Sequence, residues 1–518
     1  MIGRWRAGRA ATAALPDEVD VVVVGAGSSG CVVAAKLSAD GARSVLLVEA
    51  GPDRPVGEGQ PADLADARRN SMRPHDWGLW HRTGRGWMPM PYPRGKVVGG
   101  SSAVNTCIAL RGDPADFNAW AARGLPEWSW EQVLPAFCAI ETDHDFDGPW
   151  HGRDGPLPLR RPTSLTPWQA AFVAAAERLG YPRVADHHAP GATGVGPHAF
   201  NRDASLRRIN AAEAWLTPAV RARPNLRLVD RTIVDRIRFE RGVAQGVDVV
   251  TEGRERAFVP ARRVVLCAGA IHTPGVLLRS GLGPTDALAR LGVAQVAELP
   301  GVSRTLLDHA GTALFFRPRP GVAQRGDPIM QTALRFASSD VGRPNDLQIQ
   351  PGGNTAFDFP WVTMISLMAH VGLPAGTAEL RWTSADPFAA PEIRSNLMLH
   401  PRDARQAVEA MRIAVRLWQT PEMRDLATPL WPNPRVWDRD EDALAQVRLA
   451  TDSGYHPCGT APMGPDEDPW AVCDGRGRVR RVEGVWVADA SLMPEVPSGN
   501  IHLPTLMIGE RVAGWIAG

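Results

Sequence analysis

Two histidines in the last 65 residues sit in segments rich in small and turn-forming residues. The first segment is Tyr455-His456-Pro457-Cys458-Gly459-Thr460 and the second is Gly499-Asn500-Ile501-His502-Leu503-Pro504-Thr505. Imidazole titrates near neutrality, so either ring can take a proton from a hydroxyl at working pH. At the other end of the chain, four valines (Val21 to Val24) run into Gly25-Ala26-Gly27-Ser28-Ser29-Gly30. In such a turn the first glycine allows the tight bend, the second lets backbone approach a pyrophosphate, and the third lets helix pack on strand. The helix behind it offers unpaired N–H groups to phosphate oxygens. Glu49, followed by Ala50, lies 24 residues after Gly25 at the end of a second apolar run. A carboxylate there accepts from ribose hydroxyls and argues against a 2′-phosphorylated cofactor. A dinucleotide held by the N-terminus and a base supplied by the C-terminus describe an enzyme better than a binding module.

A second glycine-rich segment, Gly95-Lys96-Val97-Val98-Gly99-Gly100-Ser101-Ser102-Ala103-Val104-Asn105, lets backbone lie flat against a large planar group. Its bland alternative is a loop built for turning. The remaining histidines read more plainly: His151, His187, His188 and His400 as satisfied core or loop residues, and His370, in an apolar strand, as core. Tyr455 is either a pocket wall or packing, and Cys458 a small buried hydrophobe.

These residues need elements to position them. Residues 21–24, a helix reaching about residue 39 and a strand at 45–48 form one βαβ unit. Residues 226–259 read as a meander of strands at 226–229, 233–239 and 243–250, and 264–269 as a separate strand returning to the parallel sheet. A helix at 166–180 takes Thr166 as N-cap, Pro167 at its first position and Gly180 as its close, with Trp168, Phe172, Val173, Ala176 and Leu179 on its apolar stripe. Another, at 402–418, aligns Val408, Met411, Val415 and Trp418. Strands at 346–350, 362–369 and 378–383 belong to a sheet outside the nucleotide fold. The fold class is α/β.

The segment from Gly95 through Asn118, and Gly269-Ala270-Ile271-His272-Thr273-Pro274-Gly275-Val276-Leu277-Leu278-Arg279-Ser280-Gly281-Leu282-Gly283, resemble the two signature motifs of the glucose–methanol–choline (GMC) oxidoreductases. The His456 segment and residues 500–510 resemble that family's C-terminal active-site segments, so the resemblance spans roughly residues 19 to 516. It implies a Rossmann-like FAD-binding domain, with parallel sheet and β-meander, formed by 19–160, 205–310 and 455–518 behind a flexible tail at 1–18. An α+β substrate-binding domain with an antiparallel sheet would comprise 161–204 and 311–454. Carried over by position, it places Val98, Gly99, Gly100 and Ser101 along the flavin and pyrophosphate, and Asn105, Thr106, Cys107 and Ile108 beside the isoalloxazine. Val234 meets the adenine through its backbone, Asp489 and Ala490 the ribityl–phosphate chain, and Thr505 the pyrimidine end. His456 becomes the base and His502 its orienting partner. Members that bond FAD covalently have histidine where this chain has Val104, so FAD is non-covalent here. The implied reaction is oxidation of a small primary alcohol, aromatic or furanic by likeness to a bacterial branch, with O2 or a quinone-type carrier as acceptor. Members whose flavin is a spectator (hydroxynitrile lyases) or is light-driven (a fatty-acid photodecarboxylase) are the alternative.

Bulk properties bound these readings. At 518 residues the chain is long enough for two or three domains. A net charge of +1 gives nothing to steer nucleic acid or an anionic membrane, and no apolar run is long enough to span one. Arg4, Arg6 and Arg9 precede no apolar stretch of the kind a secretory signal needs. Only Lys36 and Lys96 are lysines among 57 basic residues, the mark of GC-rich coding and hence of a bacterial source. Six scattered cysteines fit neither a disulfide framework nor a metal site, and suit a reducing cytoplasm. Nothing in the sequence indicates an oligomeric state.

Overall fold

The computed structural model describes residues 15–57, 59–83, 89–353 and 363–518; most of the expected tail at 1–18, and residue 362 of an expected strand, fall outside them. β1 (Val19–Val24) and β2 (Val45–Val48) pair in parallel and are joined through α1 (Ser28–Leu37). Val21, Val22 and Val23 are fully buried, as β-branched residues of a central parallel strand covered on both faces must be.

Beside β2 lies β3 (Leu226–Val229), parallel to it, so residues 226–229 extend the parallel sheet and do not open the meander. The antiparallel meander consists of β4 (Thr232–Glu240), β5 (Val243–Thr251) and the first half of β6 (Arg256–Leu266). β6 is one strand of 11 residues, where the sequence suggested a strand only from residue 264. Up to Pro260 it pairs with β5, and from Ala261 it pairs with β1. Proline lacks the N–H of a ladder donor and so reads as a break. Here it marks a change of partner within one continuous strand. α2 (Gly269–Arg279) follows.

A second sheet, wholly antiparallel, runs in the order β7 (Ala310–Pro318), β10 (Ile365–Val371), β9 (Leu347–Gly352), β8 (Thr332–Phe336). The strands Ala427–Trp431 and Gly194–Pro197 close its two sides. Alternation along the strands separates its faces. Leu314, Phe316, Leu347, Ile349, Leu367 and Ala369 point into an apolar core shared with α3 (Pro401–Gln419) and the helix Pro167–Arg178. The opposite face is built of three cross-strand rows: Gly311–His370–Gln348, Ala313–Met368–Gln350 and Phe315–Ser366–Gly352.

The strand at 378–383 does not join this sheet. Glu379–Arg381 and Glu392–Ser395 make a four-stranded sheet with Trp80–Thr83 and Pro89–Pro91. Leu380 is the one buried residue of the short strand, and it packs with Leu79, Tyr92 and Ile393. The chain then returns to the first sheet. β11 (Val485–Val487) pairs in parallel with β6, and α4 (His502–Ala517) packs along α1, where Lys36 meets Glu510. Among the described residues no helix is long and apolar enough to cross a membrane.

Candidate active site

A cavity of about 400 Å³ is lined by residues of both large sheets. On the β1 side its wall includes Gly25, Gly27, Ser28 and Ser29. Gly27 caps α1 without a side-chain hydrogen bond, and no acid occupies the first turn, so the positive end of the helix faces the cavity unneutralised. Gly30 lies one turn in; an added Cβ there would sit 1.8 Å from the Gly25 carbonyl oxygen. Glu49 and Ala50 line the same region. The Glu49 carboxylate accepts from the N–H groups of Ala26 (2.9 Å) and Gly51 (2.8 Å), tying the glycine turn to the end of β2. Burial nevertheless pushes its pKa up to about 7, against the pull of those two donors. It is a carboxylate short of donors on a cavity wall.

Gly100 approaches Gly27 so closely that a Cβ would meet its Cα at 2.7 Å. With Ser101, Asn105, Thr106 and Ile108 it continues the wall, and Val104 lies there too. Val234, Asp489, Ala490 and Thr505 complete the expected set that the structure brings together. Asp489 accepts from the Gly269 N–H (2.7 Å), Thr273 Oγ1 (2.6 Å) and the Ser491 N–H (2.8 Å), which fixes the start of α2.

Four expected residues stand off the cavity wall, one of them Gly30, which lies against the Gly25 carbonyl. Val98 packs in the core of the first sheet, Gly99 turns its open side toward Asn210, and Cys107 lies in a small apolar cluster with Ala67, Leu110 and Phe200. Gly99 and Cys107 each adjoin residues that do line the cavity.

The reactive end centres on His456. Its backbone N–H donates to Asp308 Oδ1 at 2.8 Å. The other oxygen of that buried carboxylate accepts from Tyr92 (2.6 Å) and Ser453 (2.5 Å). Ser453 in turn receives the N–H of Tyr455 at 2.7 Å. Tyr455, at φ +63°, holds the left-handed turn that precedes His456.

The ring of His456 is held at both nitrogens. Nδ1 lies 2.8 Å from Nδ1 of His309, and Nε2 lies 3.0 Å from the side-chain nitrogen of Asn500. His309 Nε2 lies 3.0 Å from the carbonyl oxygen of Pro497. A carbonyl only accepts, so His309 carries its proton on Nε2 and leaves Nδ1 as an acceptor. His456 therefore donates from Nδ1, and its Nε2 lone pair faces the Asn500 amide. Burial, reinforced by His309, His370 and Arg94, holds the His456 pKa well below the ordinary imidazole value. His309 is pushed down to about 4, chiefly by burial. Both rings are neutral at neutral pH, and His456 Nε2 is unprotonated, its lone pair accepting from the Asn500 amide.

The hydrogen bond at His456 Nε2 comes from Asn500, not from His502, the partner expected from sequence. Asn500 precedes α4 and His502 opens it, so two residues of turn point them apart. His502 still lines the cavity, with Nε2 unpartnered among the described residues and its pKa pushed down to about 4 by burial. Asn500 stood within a segment singled out by sequence. Asp308 and His309 did not, since an isolated acid–histidine pair ahead of a strand carries no local signal.

Residues 19–311 match the GMC oxidoreductase N-terminal family profile, and residues 374–509 the GMC oxidoreductase C-terminal profile. The chain is 35% identical over 528 residues to the 5-(hydroxymethyl)furfural oxidase of Methylovorus sp. (strain MP688), covering 95% of this chain and 98% of that protein. It is 34% identical over 536 residues to the oxygen-dependent choline dehydrogenase of Serratia proteamaculans (strain 568), covering 96% and 95%. The crystal structure of pyridoxine 4-oxidase from Mesorbium loti superposes with a TM-score of 0.87 at 30% identity, covering 96% of this chain and 98% of that one.

Proposed function

The chain belongs to the GMC oxidoreductases, FAD enzymes acting on CH–OH groups, and we propose that it oxidises a primary alcohol, aromatic or furanic, to its aldehyde with His456 as base. The residues present suit FAD. A buried, donor-poor carboxylate (Glu49) matches a ribose diol, the uncapped start of α1 matches a pyrophosphate, and the Gly27–Gly100 contact brings two backbones together with no side chain between them and the cavity. Val104 offers no nucleophile, so the cofactor is held without a covalent bond. When bound, FAD supplies the two-electron acceptor for the carbinol hydrogen and passes the electrons to O2 or a quinone-type carrier.

The protein's own part is proton handling and orientation. The substrate hydroxyl replaces the Asn500 amide at the lone pair of His456 Nε2 and gives its proton there, the freed Asn500 N–H turns to the substrate oxygen, and His502 adds a second neutral imidazole to the same wall. Asp308 anchors the loop through the His456 backbone. Arg94, on the same cavity wall, places a positive charge near the alkoxide that forms. The hydroxymethylfurfural and pyridoxine oxidase relatives support a ring-bearing substrate. Two separate apolar cores support the division into a nucleotide-holding half (19–160, 205–310, 455–518) and a substrate half (161–204, 311–454). Six free thiols support a reducing compartment, the cytoplasm.

The observation that carries this reading is the hydrogen-bond chain that leaves His456 Nε2 unprotonated on the cavity wall. The experiment is anaerobic mixing with aryl and furanic alcohols while the flavin absorption is followed. His456→Ala should keep its flavin and reduce it roughly 10²–10⁴-fold more slowly. Near-native reduction would remove His456 as base, and a flavin bleached by no alcohol would favour the lyase or light-driven chemistry.

A further inference from the structure

The cavity face of the second sheet bears on which alcohol the enzyme takes. Its three rows grade from polar to small: Gly311–His370–Gln348, then Ala313–Met368–Gln350, then Phe315–Ser366–Gly352. His370 is close enough to His309 and His456 to act on their protonation, so the first row stands at the reactive end. Gly311 makes this possible, because a Cβ there would lie 2.9 Å from the His370 ring.

The polar groups of this wall have unused hydrogen-bonding capacity. Gln348 is 6% exposed, lines the cavity and makes no side-chain hydrogen bond among the described residues. Gln350, 4% exposed, gives its amide nitrogen to His198 Nε2 at 3.3 Å, which leaves its carbonyl oxygen for a donor. His370 has a buried Nε2 without partner, and burial pushes its pKa down to about 4, so it is neutral. These groups face the cavity with hydrogen-bonding capacity that no protein group among the described residues uses, so a substrate entering it can pair with them.

Among the described residues the three rows carry no charged side chain. Among the described residues the cavity's carboxylates are Glu49 and Asp489, both on the first-sheet side and both engaged with backbone N–H groups. The cation nearest the base is Arg94. A quaternary ammonium needs a facing carboxylate or an aromatic cage; among the described residues the three rows offer no carboxylate and a single phenyl ring, Phe315, while Trp77 and Tyr455 line other parts of the cavity.

We infer that Gln348 and Gln350 select neutral alcohols that carry a second hydrogen-bonding group (hydroxyl, carbonyl or ring heteroatom) away from the carbinol, and that they discriminate against cationic amino alcohols. This rests on the alcohol-oxidation reading above. It also separates this chain from its choline-oxidising relative, which is nearly as similar in sequence as the furfural oxidase.

The test compares benzyl alcohol, its para-hydroxymethyl derivative and choline on the holoenzyme, by anaerobic flavin reduction and steady-state kcat/KM. The para-hydroxymethyl compound should lead benzyl alcohol by about tenfold or more, chiefly in KM, with no reduction by choline. Gln348→Leu and Gln350→Leu should each pull that ratio toward one. A ratio taken on one preparation is unaffected by partial misfolding. Gln348→Glu, which adds the missing carboxylate, should raise choline turnover relative to benzyl alcohol. Equal rates for the two aryl alcohols, reduction by choline in the unmodified enzyme, or a ratio unmoved by either leucine variant would overturn the inference. If no alcohol bleaches the flavin, the failure lies in the alcohol-oxidation reading and takes this one with it.

Discussion

Which nitrogen of His456 carries the proton is decided two hydrogen bonds away, by the carbonyl of Pro497. In the proposed reaction His309 is thus a positioning residue: through its bond to His456 it sets the tautomer of the proposed base. His309→Ala frees His456 to protonate either nitrogen and should slow flavin reduction by about 10–100-fold. His309→Gln, whose amide can still donate to Pro497 and accept from His456, should restore much of the rate; a purely structural role would show no such rescue. The protonation argument fixes a pH profile as well. Burial lowers the pKa of His456 far below the ordinary value and that of His309 to about 4, so the base stays neutral as pH falls through about 6.5. The acid limb of the reduction rate should therefore lie well below that point, and a limb at about 6.5 would show a solvated base. At this scale the sequence revealed His456 and the segment holding Asn500. It was silent on Asp308 and His309, because their partners lie about 150 residues along the chain.

Elements were legible where one period dominates. The four valines of β1, the apolar run of β2 and the Trp168–Phe172–Ala176 stripe each follow a single pattern over their length. β6 escaped because Pro260 and the arginines after it imitate a break, and the side switch it makes is a tertiary event. The loop from Gly95 to Asn105 was legible as a glycine-rich segment, but which of its residues face the cavity was not. Gly99 and Gly100 are neighbours with opposite outlooks, set by positive φ at both. Gly100→Ala tests this element directly. Its Cβ would press on the Gly27 backbone, which cannot yield as a flexible side chain would. The variant should fold and be purified nearly colourless, with the flavin-to-protein absorbance ratio as the measurement; full flavin content would show that this approach is not part of the cradle.

Across the whole molecule, the segment around residues 141–161 is joined to that around 186 by a buried ionic network: Arg161 bridges Asp143 and Asp186, and His151 is bonded to the same two acids at 3.1 and 3.2 Å. Sequence suggested satisfied histidines in this part of the chain. His151 is one, whereas both nitrogens of His187 are buried without partners among the described residues. Although burial opposes it, hydrogen bonding to Asp143 and Asp186 raises the His151 pKa to about 9. A raised histidine stabilises the fold fully below its unfolded value of about 6.5, and that contribution is lost as pH climbs through about 9. His151→Gln should accordingly lower Tm by several degrees near pH 6 and by much less near pH 10; a gap independent of pH would mean the imidazole is not charged in the fold. The packing of α1 against α4 has a further consequence, for the time course of synthesis. Some 465 residues separate Leu37 from His502, so at about 5–20 residues per second the first helix leaves the ribosome roughly 25–90 s before its partner exists. Through that interval Val32 and Val33 have no α4 to cover them, and the dinucleotide turn has no floor. A chain arrested before α4 should therefore present an apolar helix to chaperones and hold no flavin, which makes cofactor capture a late, whole-chain event although the fingerprint for it is translated first.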